Sequence, residues 1–133
     1  MPGLTDLDEL LSGMRPVLRR GTYVYVFVGH AALTTLPVHE ALIREPEGIS
    51  LVMRREDADA ADLQYDVVLT WITLTVHSSL EAVGLTAAFA TALTDAGISC
   101  NVLAGFHHDH ILVPRDRCGP AMDALHTLAK PPR

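Results

Sequence analysis

The 133 residues are enough for one compact domain, or for two very small ones that share a core. Hydrophobic residues make up 49% of the chain, which allows a substantial core, and the formal net charge of −6 argues against a nucleic-acid groove or an anionic membrane surface as partner. Cys100 and Cys118 make no disulfide framework and read as reduced thiols, Asp6, Asp8 and Glu9 stand where a secretory signal would carry positive charge, and the longest near-apolar stretch, Val67–Val76, is about half a membrane span, so a cytoplasmic protein is expected.

In chain order, Thr5 and Asp8 have the spacing of a capping box, Leu7, Leu10, Leu11 and Met14 recur at helical intervals, and Pro16 is expected to stop that helix. Residues Thr22 to Val28 alternate valines with Tyr23, Tyr25 and Phe27; both sets are apolar, which predicts a central strand covered on both faces. Leu33 to His39 reads as loop or a single helical turn. Ala41–Arg44 and Ile49–Arg54 form a hairpin around Glu45-Pro46-Glu47-Gly48, and Asp57–Leu63 is a short acidic helix. Asp66–Val76 is a long β-branched strand, with Ile72, Leu74 and Val76 on one face and Trp71, Thr73 and Thr75 on the other.

The second half carries the strongest pattern. Leu85, Ala88, Phe89, Ala92, Leu93 and Ala96 make one apolar helical stripe, and Gly97 closes it. A strand follows over Ile98–Ala104, then a turn at His107-His108-Asp109, a strand over His110–Val113, and a helix that begins between Asp116 and Pro120 and turns Ala121, Ala124, Leu125 and Leu128 inward. From Trp71 the order is β-α-β-β-α, a ferredoxin-like order without its final strand. Such a sheet exposes an edge, and edges are usually covered. The first half has surplus strands, including Thr22 to Val28, so the halves, 1–65 and 66–133, are expected to complete one another.

At this point a family resemblance appears. Ser78 to Phe89, continued by Leu93, Ala96-Gly97-Ile98 and Asn101, resembles an ACT domain, most closely the regulatory ACT region of aspartate kinases. The whole chain is similar to small stand-alone bacterial ACT proteins, in which residues like Arg44-Glu45-Pro46-Glu47-Gly48-Ile49 precede the second half and a His-Asp-His turn, here His108-Asp109-His110, follows Asn101. The first half departs from the pattern, having no long helix to match Leu85–Ala96. The resemblance implies an α+β fold of two ferredoxin-like ACT halves (βαββαβ-type) joined into one compact unit, with antiparallel sheets and helices on one face. It also implies a homodimer binding an amino acid between the loop-helix junction, Glu81 to Leu85, and the strand residues Asn101, Val102 and Leu103.

The residues themselves allow that chemistry. Gly84 at a helix start leaves backbone N–H groups approachable, and a helix N-terminus favours a carboxylate. Carbonyls near Asn101, or its side chain, would take the ammonium group. The plainer reading is that Ser79 or Glu81 caps the helix and Gly84 packs closely. Ser78 and Ser79 lack the Gly-x-Ser-x-Gly surroundings of a nucleophile and have no placed base. His108 and His110 would share a strand face and could begin a metal site with His77 or Asp109; they could equally line the ligand pocket, or simply form a hydrogen-bonded turn. The expected function is reversible small-molecule sensing by a non-enzymatic regulatory module without a cofactor, coupled to a change in dimer contacts or in those with a regulated protein partner. The alternatives are an interaction module with a vestigial pocket, and a metal-dependent enzyme using His107 to His110.

Overall fold

A computed structural model describes residues 6–76 and 83–129. The chain separates into two compact units: a central unit, residues 20–69, and a split unit formed by the residues up to 19 and those from 70 onward.

Helix α1 (Leu7–Gly13) begins at Asp6, whose carboxylate accepts the Glu9 backbone N–H at 3.0 Å. Asp6 therefore makes the cap that the sequence assigns to Thr5, which lies outside the described residues. The helix ends before Pro16, and Pro16 does more than stop it: Pro16–Leu18 is a strand, β1.

In the central unit, β2 (Tyr23–Val28) is followed by a 3-10 turn (His30–Thr35), β3 (Ala41–Glu45), β4 (Gly48–Arg54) and α2 (Arg55–Ala60). The strand order is β3-β4-β2, antiparallel throughout, and Leu69 pairs with Tyr23 at the far edge of β2. This is the ferredoxin-like order with a 3-10 turn in place of the first helix. Val24, Val26, Ile49, Leu51, Met53 and Ala58 form its core. The expectation that β2 is covered on both faces holds only at its start: Tyr23 is buried, but Phe27 is 56% exposed.

In the split unit come β5 (Leu69–Leu74, from Thr70 on), α3 (Leu85–Asp95), β6 (Asn101–Ala104), β7 (Asp109–Pro114) and α4 (Cys118–Ala129). Both long strands are shorter than their sequence ranges, Asp66–Val76 and Ile98–Ala104. The sheet order is β1-β5-β7-β6. Here the missing fourth strand is supplied by β1, which pairs antiparallel with β5 as Pro16↔Leu74, Val17↔Thr73 and Leu18↔Ile72. The first half of the chain does provide it, but through three residues rather than through Thr22 to Val28.

Ile72, Leu74, Ile111 and Val113 project from one face of this sheet into a core closed by Leu85, Phe89 and Leu93 of α3, by Ala121 and Leu125 of α4, and by Leu10 and Met14 at α1. Of the predicted stripe of α3, Leu85, Phe89 and Leu93 face this core, Ala88 and Ala92 are half-buried, and Ala96 is exposed. Its end is also as expected: Gly97 is left-handed (φ +74), and the Ile98 N–H returns to the Leu93 carbonyl at 2.9 Å.

Candidate functional site

Among the described residues no side chain caps the start of helix α3. Its N-cap is Gly84, in the left-handed region (φ +96, ψ −17). An α-helix leaves its first N–H groups without intrahelical acceptors, so those of Leu85, Thr86 and Ala87 carry the positive end of the helix dipole. Leu85 is buried, Thr86 and Ala87 are exposed, and Val83 is 83% exposed just before them. Leu7 of α1 lies against this start: a Cβ on Gly84 would sit 3.3 Å from Leu7 Cδ2. Ser79 and Glu81, with His77 and Ser78, lie outside the described residues.

The strand register fixes what lies level with the end of β5, and the far end of α3 lies at the other end of the sheet, where Arg117, just beyond β7, donates to the Ala96 carbonyl at 2.9 Å. Thr70 Oγ1 donates to the Val113 carbonyl (3.4 Å) and Thr73 Oγ1 lies 3.0 Å from His110 Nδ1, so β5 and β7 run in opposite directions. β6 and β7 are antiparallel, with Asn101↔Leu112 and Ala104↔Asp109. The end of β5, from which the chain leads to α3, is therefore level with Ala104 and Asp109. Asn101 lies three residue rises away, about 10 Å along the sheet. Its side-chain amide donates to the Leu112 carbonyl at 3.3 Å. Val102 packs partly against the core, and Leu103 is half-buried opposite His110. The turn between β6 and β7 thus shares the helix-start end of the sheet, and Asn101 does not.

That turn is closed by the Gly105 N–H donating to the His108 carbonyl at 2.9 Å. His108 Nδ1 is buried without a hydrogen-bond partner among the described residues. Burial pushes the Asp109 carboxyl above its usual range, with the charge of His108 acting the other way.

His110 belongs to a different constellation. Trp71 Nε1 lies 3.2 Å from His110 Nδ1 and Thr73 Oγ1 lies 3.0 Å from it, with the two rings 5.3 Å apart. The indole N–H can only donate, and it is shared between His110 Nδ1 and Thr73 Oγ1, which lies 3.2 Å from it. Burial first, then Arg19 and His108, hold the imidazole pKa below its ordinary value. Arg19 stacks 4.0 Å above the Trp71 ring. The alternation of Trp71 with Thr73 is visible in the sequence, but their meeting with His110 and Arg19 depends on pairing between distant strands. Nδ1 of His110 is thus engaged by Trp71 and Thr73. Among the described residues no three His, Cys, Asp or Glu side chains come together as a metal site, and no helix is long and apolar enough to cross a membrane.

A cavity of about 540 Å³ lies in the split unit beside Ser12, Met14, Arg15, Pro16, Val17, His126 and Ala129. One of about 310 Å³ lies in the central unit, lined by Tyr25, Val26, Phe27, Ser50, Gln64, Tyr65 and Asp66.

Two family models, each described as an ACT domain, match residues 2–70 and 66–127. ACT domains are small-molecule-binding regulatory modules. No curated protein matches in sequence. Among solved structures, a Vibrio cholerae protein of unknown function, described as a possible transport protein, is 46% identical with a TM-score of 0.81, over 93% of this chain and 96% of that one. A protein from Agrobacterium tumefaciens is 17% identical (TM-score 0.67, 88% of this chain and 90% of that one). The ligand-free regulatory subunit of aspartate kinase from Thermus thermophilus is 9% identical (TM-score 0.62, 87% and 98%). At these last two identities the likeness is one of fold.

Proposed function

Because this chain belongs to the ACT-domain family, with two such domains in tandem, we propose that it is a sensor that reversibly binds a small molecule, an amino acid, and has no catalytic chemistry of its own. The observation that carries this reading is the start of α3, where Thr86 and Ala87 are exposed just after a left-handed glycine and, among the described residues, no side chain caps the helix. A carboxylate placed there accepts from the N–H groups of Leu85 to Ala87 and meets the helix dipole. The ammonium group then points toward β6 and the turn after it. The level of Ala104 suits it better than that of Asn101, whose amide is engaged with Leu112. His108 Nδ1, buried at the same end without a partner among the described residues, is a further group for a ligand to satisfy. In this reading the protein is a cytoplasmic homodimer that signals through a change in its own or a partner's contacts.

The test is a thermal-shift screen against the twenty amino acids, repeated with Ala87→Glu. A ligand at 100 times its Kd stabilises by about 2.7 kcal/mol, a shift of several degrees for a protein of this size. A glutamate at the third helical position places a resident carboxylate on the same dipole. It should raise the stability of the free protein by about 0.3–1 kcal/mol and weaken the ligand. An amino acid that binds the variant as tightly as the native protein would rule out the α3 site.

One observation favours a second reading, an interaction module with a vestigial pocket. Leu7 already lies against Gly84, as a side chain filling an old pocket would. A flat screen would select that reading.

A further inference from the structure

We propose a second binding site, in the central unit, for an organic cation: a primary ammonium group on an apolar body. It is independent of the α3 site and occupies the cavity of about 310 Å³ between β2 and residues 64–66.

The cavity exists because β5 leaves β2 early. The Arg55 N–H donates to the Thr22 carbonyl, which makes Thr22 and Arg55 a hydrogen-bonded antiparallel pair. By alternation Val24, Val26 and Val28 turn their main-chain groups toward β4, while Tyr23, Tyr25 and Phe27 turn theirs to the opposite edge. Leu69 meets Tyr23 there, and the pairing goes no further. The main-chain carbonyls of Tyr25 and Phe27 consequently open onto the gap as ladder acceptors with no strand of the described residues beside them.

The walls are aromatic and the charge is negative. Tyr25 and Phe27 share a face of β2, and Ser50, opposite Phe27, donates to the Glu45 carboxylate. Tyr65 closes the other side. Its hydroxyl donates to Asp59 Oδ1 at 2.7 Å and accepts from Arg55 Nε at 3.0 Å, so the ring is held in place before any ligand arrives. Asp66, exposed at the mouth, supplies a carboxylate. Arg55 lies 6.0 Å from the Tyr65 ring, with Asp59 joined to it through the Tyr65 hydroxyl. Aromatic faces attract cations, carbonyls and a carboxylate accept from ammonium N–H groups, and the apolar body of the ligand covers Phe27. The volume is at the lower end of small-molecule sites and suits a ligand of amino-acid size.

The experiment is a ¹H–¹⁵N NMR titration of the full chain with benzylammonium chloride, and in parallel with benzyl alcohol, its uncharged counterpart. Benzylammonium should shift the amides of Tyr25, Phe27, Tyr65 and Asp66 and bind about tenfold more tightly than the alcohol. Asp66→Asn should weaken it severalfold, Phe27→Leu should weaken it too, and Ala87→Glu at the start of α3 should leave it unchanged. Both altered side chains are exposed, so the fold should survive either change. Equal binding of the two probes, shifts confined to other residues, no response to either probe, or an Asp66→Asn variant that binds as well as the native chain would each overturn the proposal.

Discussion

Replacing Leu10 with alanine tests whether the first nineteen residues are integral to a unit otherwise built from residue 70 onward. Leu10 is the buried residue of α1, fully enclosed in the core that also holds Phe89, Leu93, Ile111 and Leu125. Truncating a fully buried leucine costs roughly 3–5 kcal/mol, the transfer free energy of the lost methyl groups plus a term for the cavity left behind. Small domains have about 5–15 kcal/mol in all, so one substitution in a seven-residue helix should remove a large share of the stability of the split unit. Trp71, the single tryptophan, sits in β5 of that unit and reports its unfolding by fluorescence in a urea titration. The expected result is a midpoint shift at unchanged slope. A cost below about 1 kcal/mol would mean that α1 is only loosely docked, and the account of the split unit would fail. The double variant Leu10→Ala/Met14→Ala should lose more than either single one, though not additively, because both residues share one core.

Gly84→Ala should cost about 1–2 kcal/mol, since only glycine adopts φ +96 without strain; because the added methyl group also meets Leu7, Leu7→Ala should recover the steric part and leave the backbone part, as chemical denaturation can measure. Gly48→Ala should destabilise the central unit by about 1–3 kcal/mol, because a Cβ there falls 2.6 Å from the Val28 carbonyl oxygen and also strikes the Phe27 ring; a variant as stable as the native chain would contradict the hairpin register. His110, whose folded pKa is depressed, contributes stability that is fully present above its unfolded pKa of about 6.5 and is lost as the pH falls toward the folded value, because the unfolded chain takes up the proton first. Arg19 and His108 add to the burial that depresses it, whereas neighbouring Asp109, raised by burial, contributes in the opposite sense at lower pH. Unfolding measured from pH 7 to 5 should therefore be less pH-dependent in His110→Gln than in the native chain, and an equal slope would sink the assignment. Cys100, its thiol pKa raised by burial, should react with iodoacetamide far more slowly when folded than in urea; equal rates would contradict its place beside the core.

Much of this protein was legible locally. The stripe Leu85-Phe89-Leu93, the glycine at 97 and the turn at Pro46 to Gly48 each set their element within a few residues, because helical periodicity and turn chemistry are properties of neighbouring side chains. The β-α-β-β-α order followed from them, and so did the absence of a fourth strand in the second half. What could not be read locally was everything that depends on pairing across the chain. Pro16-Val17-Leu18 is too short to announce a strand, and it becomes one because β5 offers an open edge to it. Phe27 carries the same alternation as Tyr23, yet Leu69 pairs with only the first of them, so one is buried and the other faces a cavity. The histidines at 108 and 110 look alike in sequence, but the register gives His110 to Trp71 and Thr73 and leaves His108 Nδ1, at the helix-start end of the sheet, buried without a partner among the described residues. Local periodicity determined which elements form; only the tertiary pairing of distant strands decided which side chains meet, because register is set by the burial of a whole face and not by any one residue.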